Sequence, residues 1–123
     1  MAKDNTKVIA CTQLNRAVKK ESKKLNVPKK FMLMGRQFEV VPIDQSMAGI
    51  LPLDYHGLCV PDLNEIHVST DIPRSKLEAT YLHELVHAVL SCMGDTELYA
   101  NEQFIDIFSG LLHQALTSGE GSI

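Results

Sequence analysis

Apolar residues recur along this chain with two periods, one near 3.6 residues and one of two residues. Between about Thr6 and Asn26 they fall three, four and seven positions apart, and lysines fill the other faces. The apolar positions are Cys11, Leu14, Val18 and Leu25. This spacing predicts an amphipathic helix, which Pro28 ends because proline cannot continue the helical hydrogen-bond pattern.

The period of two follows directly after this helix. Residues 31–43 alternate and are rich in β-branched and aromatic side chains, so we expect two strands, Phe31–Met34 and Gln37–Val41. Gly35-Arg36 is the predicted turn between them, and Pro42 is expected to close the second strand.

A second pair of strands is predicted further along. Residues 44–56 show neither period and predict an irregular loop or a short extra strand. Two short apolar-rich runs follow, Gly57–Val60 and Glu65–Ser69, and Pro61-Asp62-Leu63-Asn64 joins them. A proline followed by an aspartate suits a tight turn, so these runs predict a β-hairpin.

The segment from Ser75 to Met93 is apolar almost all the way round, which is typical of a helix buried in the middle of a domain. Ser75-Lys76-Leu77-Glu78 fits a capping box at its start, and Gly94 is expected to end it. Asp95 or Thr96 can cap a final helix. Together the elements predict the α+β class, with an N-terminal helix, a small and mostly antiparallel sheet, a buried helix and a C-terminal helix.

Length and composition place these elements in one domain. At 13.7 kDa the chain is expected to form a single domain, 1–123, with an N-terminal arm (1–30), a core (31–117) and a flexible tail (118–123). Hydrophobic residues at 45% and charged residues at 22% exclude a disordered or fibrous chain. No apolar stretch approaches the roughly 20 residues of a membrane span, and no signal core follows Met1. We therefore expect a soluble, cytoplasmic protein without membrane contacts.

The three cysteines, Cys11, Cys59 and Cys92, form no C-x-x-C pair, and their odd number does not suit a disulfide framework. The same spacing disfavours a thiolate zinc cluster. We expect the three side chains to be small, buried, apolar groups.

Charge is distributed unevenly between the N-terminal arm and the rest of the chain. Residues 3–30 contain nine Lys or Arg residues against two acidic residues, a net charge of +7, which leaves −10 for the remainder. The arm can be the solvated face of a helix, a weak binding site for nucleic acid, or a segment that docks on the acidic body. The solvated face is favoured, because no aromatic residue interleaves the lysines as a base-stacking surface requires.

Candidate chemistry lies in the buried helix, as His83-Glu84-Leu85-Val86-His87, the H-E-x-x-H pattern. Four residues advance a helix by about 400° and roughly 6 Å, so His83 and His87 lie one turn apart on nearly the same face and can bind one metal ion. Glu84 points beside the pair, where it can take a proton from an attacking water. An accidental match is disfavoured, because ionisable groups on so apolar a helix are costly unless a cation pairs with them.

Two imidazoles leave a zinc site one protein ligand short, so a third should come from another element. The last helix offers Glu97, Glu102 and Asp106, of which Glu97 lies nearest the helix start and is not preferred. If Glu102 is the ligand, Asp106 lies one turn further along and can accept the outer N–H of a ligating histidine. The alternative for Glu102 and Asp106 is a solvated acidic stripe, although apolar residues crowd the adjoining positions.

The order of these motifs resembles the gluzincin zinc metallopeptidases, with H-E-x-x-H on one helix and Asn101-Glu102-Gln103-Phe104-Ile105-Asp106 on the next. The short chain, with a small sheet before the HELVHAVL helix, is similar to minimal metallopeptidase-like proteins encoded by phages and prophages, and more distantly to the ImmA/IrrE group. The likeness covers roughly residues 57–117. It implies zinc, peptide-bond hydrolysis, Glu84 as general base, Glu102 as third ligand and Asp106 as the partner of a histidine.

The resemblance leaves two assignments open. The ImmA/IrrE group usually has its glutamate directly before Ala-Asn, where this chain has Tyr99 in Tyr99-Ala100-Asn101. No motif carries the group that stabilises the oxyanion, and every candidate also suits a structural or surface role. The candidates are Tyr55, His56, His67, Tyr99 and His113. In the gluzincin architecture the strand before the active-site helix borders the cleft, so Glu65–Ser69 is expected to offer a free edge to a peptide.

The sequence therefore predicts a zinc-dependent metallopeptidase acting on a peptide or protein substrate, with the cytoplasm of a phage-infected bacterium as the setting that the resemblance implies. The alternative is a catalytically silent, zinc-stabilised binding module, such as a phage factor that engages a host protein or DNA through the basic arm. A third hypothesis is a DNA-associated protease tethered by residues 3–30, whose DNA binding would weaken steeply as salt rises.

Overall fold

The structure is a computed structural model that describes residues 24–44 and 55–123. The predicted N-terminal helix and most of the basic arm therefore lie outside the described residues. The last three positions of the predicted helix, 24–26, are described and have no regular secondary structure. The helix prediction is thus wrong for its final turn, because residues 24–29 lead directly into the first strand.

The described residues form an α+β fold, as predicted, in which a four-stranded mixed sheet packs against helices. The strands are β1 (Lys30–Leu33), β2 (Arg36–Ile43), β3 (Gly57–Val60) and β4 (Glu65–Ser69). The helices are α1 (Arg74–Met93), α2 (Thr96–Tyr99) and α3 (Glu102–Ser118). The spatial order of the strands is β1-β2-β4-β3, with β2 and β4 parallel and the other two pairs antiparallel.

The β1–β2 hairpin turns one residue earlier than the sequence predicts. Met34 and Gly35 occupy the turn with φ values of 50° and 78°. Positive φ at both central residues gives a two-residue turn the twist that its flanking strands require. β2 also continues through Pro42 to Ile43, so the prediction that Pro42 closes it is wrong. The nitrogen of Pro42 lies on the side facing β1, beyond the last β1–β2 pair at Glu39, so no ladder hydrogen bond is lost.

The predicted hairpin of β3 and β4 is confirmed. Its connection is a single 3₁₀ turn, Pro61–Leu63, followed by Asn64 in the left-handed conformation. The predicted free edge of Glu65–Ser69 is wrong, however, because β4 pairs with β2 on one side and β3 on the other. Among the described strands, β3 and β1 are the outer ones, and β3 lies on the side nearer the metal-binding motif.

α1 packs across one face of the sheet. Alternate residues of β2 and β4 point at this helix and form the main core with it. The core side chains include Phe38, Val40, Ile66, Val68, Tyr81, Leu82 and Ala88. A second cluster joins α1 to α3 through Val86, Leu90 and Ile105. The helix that carries the H-E-x-x-H pattern is therefore central to the fold, as its nearly continuous apolar surface predicts.

The predicted capping box at Ser75-Lys76-Leu77-Glu78 is wrong. α1 begins at Arg74, and Pro73 precedes it without a capping side chain. The buried Glu78 carboxylate does not cap a backbone N–H of Ser75; it accepts hydrogen bonds from the Leu25 N–H, the Arg74 side chain and His113 on α3 instead.

The predicted final helix is divided into two helices. Gly94, with φ of 75°, ends α1 as expected. The Asp95 side chain accepts a hydrogen bond from the Leu98 N–H at 3.0 Å and starts α2. The Asn101 side chain accepts from the Phe104 N–H at 3.0 Å and starts α3. Two caps so close together break the helix because each one replaces intrahelical bonds with its own.

Three remaining predictions concern the tail, the cysteines and the membrane. The predicted tail begins at residue 118, but Ser118 is the last residue of α3, and residues 119–123 follow it without regular secondary structure. Cys59 is buried and Cys92 is half-buried, and both are free thiols, while Cys11 lies outside the described residues. In the part of the chain that the structure describes, no helix has the length and apolar character needed to cross a membrane.

Candidate metal centre

Three side chains from two helices converge beside the sheet. His83 and His87 lie one turn apart on α1, and Glu102 is the first residue of α3. The two carboxylate oxygens of Glu102 lie 3.0 Å from Nε2 of His83 and 2.9 Å from Nε2 of His87. One ligand atom from each residue lies within 4.8 Å of the other two. His83, His87 and Glu102 thus form a group that can hold a metal ion, as the sequence predicts.

Asp106 extends this group by one residue. Its Oδ1 lies 2.9 Å from Nδ1 of His83, the ring nitrogen that faces away from Glu102. Glu102 and Asp106 are four residues apart on α3, so both carboxylates reach the same imidazole. Glu97, the third acid considered, is exposed on α2 and does not line the cavity described below. The Asn101 side chain caps α3 so that this helix begins at Glu102. Glu97 therefore lies on α2, and Glu102 and Asp106 lie on α3.

The hydrogen-bond partners of His83 are compatible with a cation at this site. A neutral imidazole has one N–H, yet both ring nitrogens of His83 face carboxylate oxygens, which only accept hydrogen bonds. One contact therefore lacks a proton unless the ring is charged or a cation lies between Nε2 and Glu102. The Glu102 side chain is 62% exposed.

Glu84 lies beside the group rather than in it. The residue is only 8% exposed. Burial raises the pKa of Glu84 to about 7, against the effect of the His83 imidazole and with the Glu102 and Asp106 carboxylates adding to it. A carboxyl group with a pKa near neutrality can both accept and release a proton at physiological pH. A bound cation would lower this pKa, because a nearby positive charge favours the carboxylate.

His87 is in the protonation state that metal binding requires. Burial lowers its pKa, although the Glu102 carboxylate opposes this effect, so the ring is neutral at pH 7. Its ring lies edge-on to Tyr99, with 4.9 Å between centroids. Nδ1 of His87 is buried and makes no hydrogen bond within residues 24–44 and 55–123.

A cavity of about 750 Å³ opens onto these residues. Its walls come from α1, from β3 and the two residues before it, from the end of α2 and from the first half of α3. Of the residues singled out in the sequence, those that line it are Tyr55, His56, His83, Glu84, His87, Tyr99, Glu102 and Asp106. The structure therefore brings together the ligands, the acid beside them and three of the five oxyanion candidates.

Two oxyanion candidates lie elsewhere. His67 is on the face of β4 opposite α1, where its Nε2 lies 2.8 Å from Oε1 of Glu65. His113 is on α3, where its Nε2 lies 2.9 Å from Oε1 of Glu78. Neither side chain lines the cavity. The sequence could not exclude them, because strand order and helix crossing decide which faces meet.

Tyr99 lines the cavity, and its hydroxyl lies close to the Cys59 thiol. Burial raises the pKa of Tyr99 to about 12, with the nearby Cys59 thiol and the Glu84 and Glu102 carboxylates adding to it. Burial likewise raises the pKa of the Cys59 thiol to about 12, with Glu84 adding to it. Both groups are therefore protonated at neutral pH, so the Tyr99 hydroxyl can donate a hydrogen bond.

Sequence analysis did not single out Gly57, which fixes the distance between β3 and α1. A Cβ added there would lie 2.5 Å from Cγ2 of Thr80 and 3.1 Å from Cγ of Glu84. The strand can approach the metal-binding helix this closely only because position 57 has no side chain. The signal in the sequence was an isolated glycine at the start of a predicted strand.

Comparison of the chain with protein-family models, with curated proteins and with solved structures found no match.

Proposed function

We propose that this protein is a zinc-dependent metallopeptidase. The observation that carries the proposal is the convergence of His83, His87 and Glu102 within 4.8 Å, beside the buried carboxyl group of Glu84 and open to a cavity. Two imidazoles and one carboxylate are a ligand set found in catalytic zinc sites that keep one position open. His83, His87 and Glu102 all line the cavity, so a substrate could reach an ion that they held.

Each residue has a role in this mechanism. A zinc ion held by the three ligands would supply a water acidified toward pKa 7 and a Lewis acid for the scissile carbonyl. Glu84 accepts the proton of the attacking water and passes it to the leaving amine. Asp106 holds the Nδ1–H of His83 and so fixes the tautomer that leaves Nε2 free for the metal.

Tyr99 is our choice for the donor to the oxyanion. Its hydroxyl stays protonated at neutral pH, and its ring lies against the ligand His87. Tyr55 also lines the cavity but is 53% exposed, so water competes for its hydroxyl. Preorganised donors contribute more in a site from which water is excluded, which favours Tyr99.

The substrate would lie along β3. Gly57, Leu58 and Cys59 of this strand line the cavity, and within the described chain no strand pairs with the other edge of β3. An extended peptide can add to such an edge through main-chain hydrogen bonds. This arrangement replaces the predicted one, in which the peptide paired with Glu65–Ser69.

The test of the proposal is the substitution Glu84→Gln, with Glu97→Gln as a matched control on an exposed glutamate outside the cavity. Zinc content is measured by mass spectrometry, and cleavage is measured on a peptide library with and without chelator. We expect Glu84→Gln to bind zinc as the wild type does and to lose about 10²–10⁴-fold in cleavage rate, because the proton acceptor is gone. The control should retain both properties.

Two results would contradict the proposal in different ways. Full activity of Glu84→Gln would show that the general base is assigned wrongly. Zinc binding by the wild type without cleavage of any library peptide would favour the catalytically silent, zinc-stabilised binding module instead.

A further inference from the structure

The cavity extends past the metal ligands along α1. Lys76, Thr80, His83 and His87 all line it, at spacings of four, three and four residues. Residues at these spacings lie on one face of a helix, so the four side chains form a single stripe. Lys76 precedes His83 by two turns, which is about 10 Å along the helix axis.

Lys76 occupies a position that helix stability does not favour. The N-terminal end of a helix carries partial positive charge, and α1 has no acidic residue in its first turn to offset it. Arg74, the other cation of this turn, is compensated, since Nε donates to Glu78 at 3.1 Å and Nη2 donates to the Leu25 carbonyl at 2.6 Å. Lys76 forms no ion pair or hydrogen bond with any residue that the structure describes. Lys76 is exposed, so its ammonium group is available to a ligand in the cavity.

Small residues line the cavity between Lys76 and the metal ligands. They are Ala79 and Thr80 on α1 and Gly57 on β3. The acidic residues that line the cavity are Glu84, Glu102 and Asp106, of which Glu84 lies beside Thr80 and Gly57. Among the described residues that line the cavity, Lys76 is the one side chain with a permanent positive charge.

We propose that Lys76 is a specificity-determining residue that binds a carboxylate of the substrate. This inference rests on the proposed peptidase function. An extended peptide advances 3.2–3.4 Å per residue, so a carboxylate about two or three residues from the scissile bond reaches Lys76 when the scissile carbonyl is at the metal. The carboxylate belongs to an Asp or Glu side chain or to the C-terminus of the peptide, and both sources present the same chemistry to an ammonium group.

A preference for substrates with a carboxylate would have to come from direct contact with Lys76, not from the overall charge of the protein. The chain outside residues 3–30 has a net charge of −10, which repels acidic peptides at long range. An ammonium group at the cavity wall interacts over a few ångströms, and salt screens it less where the bound peptide displaces water. A measurable preference for acidic ligands would therefore identify the Lys76 end of the cavity rather than the general surface.

The experiment measures binding, not cleavage, so that it does not depend on catalysis. The probes are short peptides with a hydroxamate at one end, which chelates zinc, and a Glu residue two or three positions away. Matched probes carry Gln in place of Glu, and a second pair compares a free C-terminal carboxylate with a carboxamide at the same distance. Affinities for the zinc-loaded full chain are measured by titration calorimetry at low and moderate salt.

We expect the carboxylate probes to bind about three- to tenfold more tightly than their amide counterparts. In Lys76→Met the carboxylate and amide probes should bind equally well. Lys76→Glu should bind the carboxylate probe more weakly than the amide probe, and it should prefer a probe with Lys at that position. Lys30→Met, a change of an exposed lysine on β1 outside the cavity, should leave the ratio unchanged. The pair of probes that shows the ratio identifies the source of the carboxylate.

The outcomes separate this inference from the function on which it rests. Equal binding of acidic and amide probes, or a ratio that persists in Lys76→Met, overturns the role of Lys76 while zinc and the peptidase proposal stand. Failure of every hydroxamate probe to bind the zinc-loaded protein overturns the proposed function, and the role of Lys76 with it. Circular dichroism of each variant confirms that it is folded before titration.

Discussion

Two clusters of histidine and carboxylate side chains connect α1 to α3, and they differ in how completely their hydrogen bonds are satisfied. The Glu78 cluster consists of Leu25, Arg74, Glu78 and His113. The Glu78 carboxylate is 3% exposed and accepts from the Leu25 N–H and Arg74 Nε at 3.1 Å and from His113 Nε2 at 2.9 Å. Burial opposes its ionisation, but these hydrogen bonds prevail and lower the pKa of Glu78 below its ordinary value.

The metal cluster consists of His83, His87, Glu102 and Asp106, and it has too few donors. Both nitrogens of His83 face carboxylates, and the Glu102 and Asp106 side chains are 62% and 69% exposed. Glu84 is buried beside this cluster and has no comparable set of donors among residues 24–44 and 55–123, and burial is the largest cause that raises its pKa to about 7. Two buried glutamates on one helix thus have pKa shifts of opposite sign.

The comparison shows that residue type does not distinguish a structural cluster from a candidate site. Both clusters contain histidine and carboxylate groups on the same two helices. The Glu78 cluster supplies the positive charge and the donors from its own chain, so it holds the segment before β1 against α1 and α3. The metal cluster has fewer donors among the described residues, and its three ligand residues could hold a cation.

The largest difference should appear when zinc is added. At a free zinc concentration about 1,000 times the dissociation constant, we expect the free energy of unfolding of the wild type to rise by about 4 kcal/mol, since the ion binds the folded state. His87→Ala should abolish this gain because it removes a ligand. Denaturant unfolding with zinc and with chelator measures both. An equal gain in His87→Ala would place the ion elsewhere.

The Glu78 cluster should respond in the opposite way. Glu78→Ala leaves Arg74 and His113 without their buried acceptor, so we expect the free energy of unfolding to fall by about 3 kcal/mol. The gain on adding zinc should be unchanged. Glu39→Ala, at an exposed position of β2, serves as the control and should change stability by less than about 0.5 kcal/mol.

Acidic pH should reduce the loss in free energy of unfolding that Glu78→Ala causes. Because the pKa of Glu78 is lower in the folded state, its contribution is fully present above the ordinary glutamate pKa of about 4.3 and is lost as pH falls through the folded pKa. The stability difference between wild type and Glu78→Ala should therefore shrink below about pH 4. A difference that is the same at pH 3 and pH 7 would show that the carboxylate is not ionised in the cluster.

The smallest effect is expected for Asp106→Asn. Asp106 contacts the metal cluster through His83 and not through the ion, so we expect zinc affinity to fall about 10–100-fold while binding persists. Competition with a chromophoric chelator measures the affinity, and Asp62→Asn, outside the cavity, is the control. Complete loss of zinc from Asp106→Asn would make Asp106 a ligand and not the partner of a ligand.

Sequence patterns predicted the parts of the site that depend on spacing within one element. His83 and His87 share a face of α1 because helical geometry places residues four apart together, and Asp106 follows Glu102 for the same reason. The pattern also contained Lys76, seven residues before His83, which was taken only as part of a capping box. Lys76 lines the cavity only because β3 lies beside α1, and the spacing of residues within α1 cannot predict the position of β3.

Predictions failed where two elements compete for the same groups. Glu78 was expected to cap α1, but burial against Leu25 and His113 offers its carboxylate three donors, which outweighs one cap interaction. The single final helix was divided because Asn101 starts a second helix with its own side chain. Capping and periodicity rules allow both the predicted and the observed arrangement in each case, and they do not decide which of the two forms.

By itself, the sequence determined the α+β class, the hairpin that leads to the buried helix, and the one-turn spacing of the two imidazoles. These follow from backbone geometry, which repeats every few residues and needs no distant partner. Only the tertiary structure decided that β4 is interior, that β3 borders the cavity, and that Glu102 meets both histidines while His67 and His113 do not. Strand order and helix crossing are set by packing between residues far apart in the chain, so no short segment contains them.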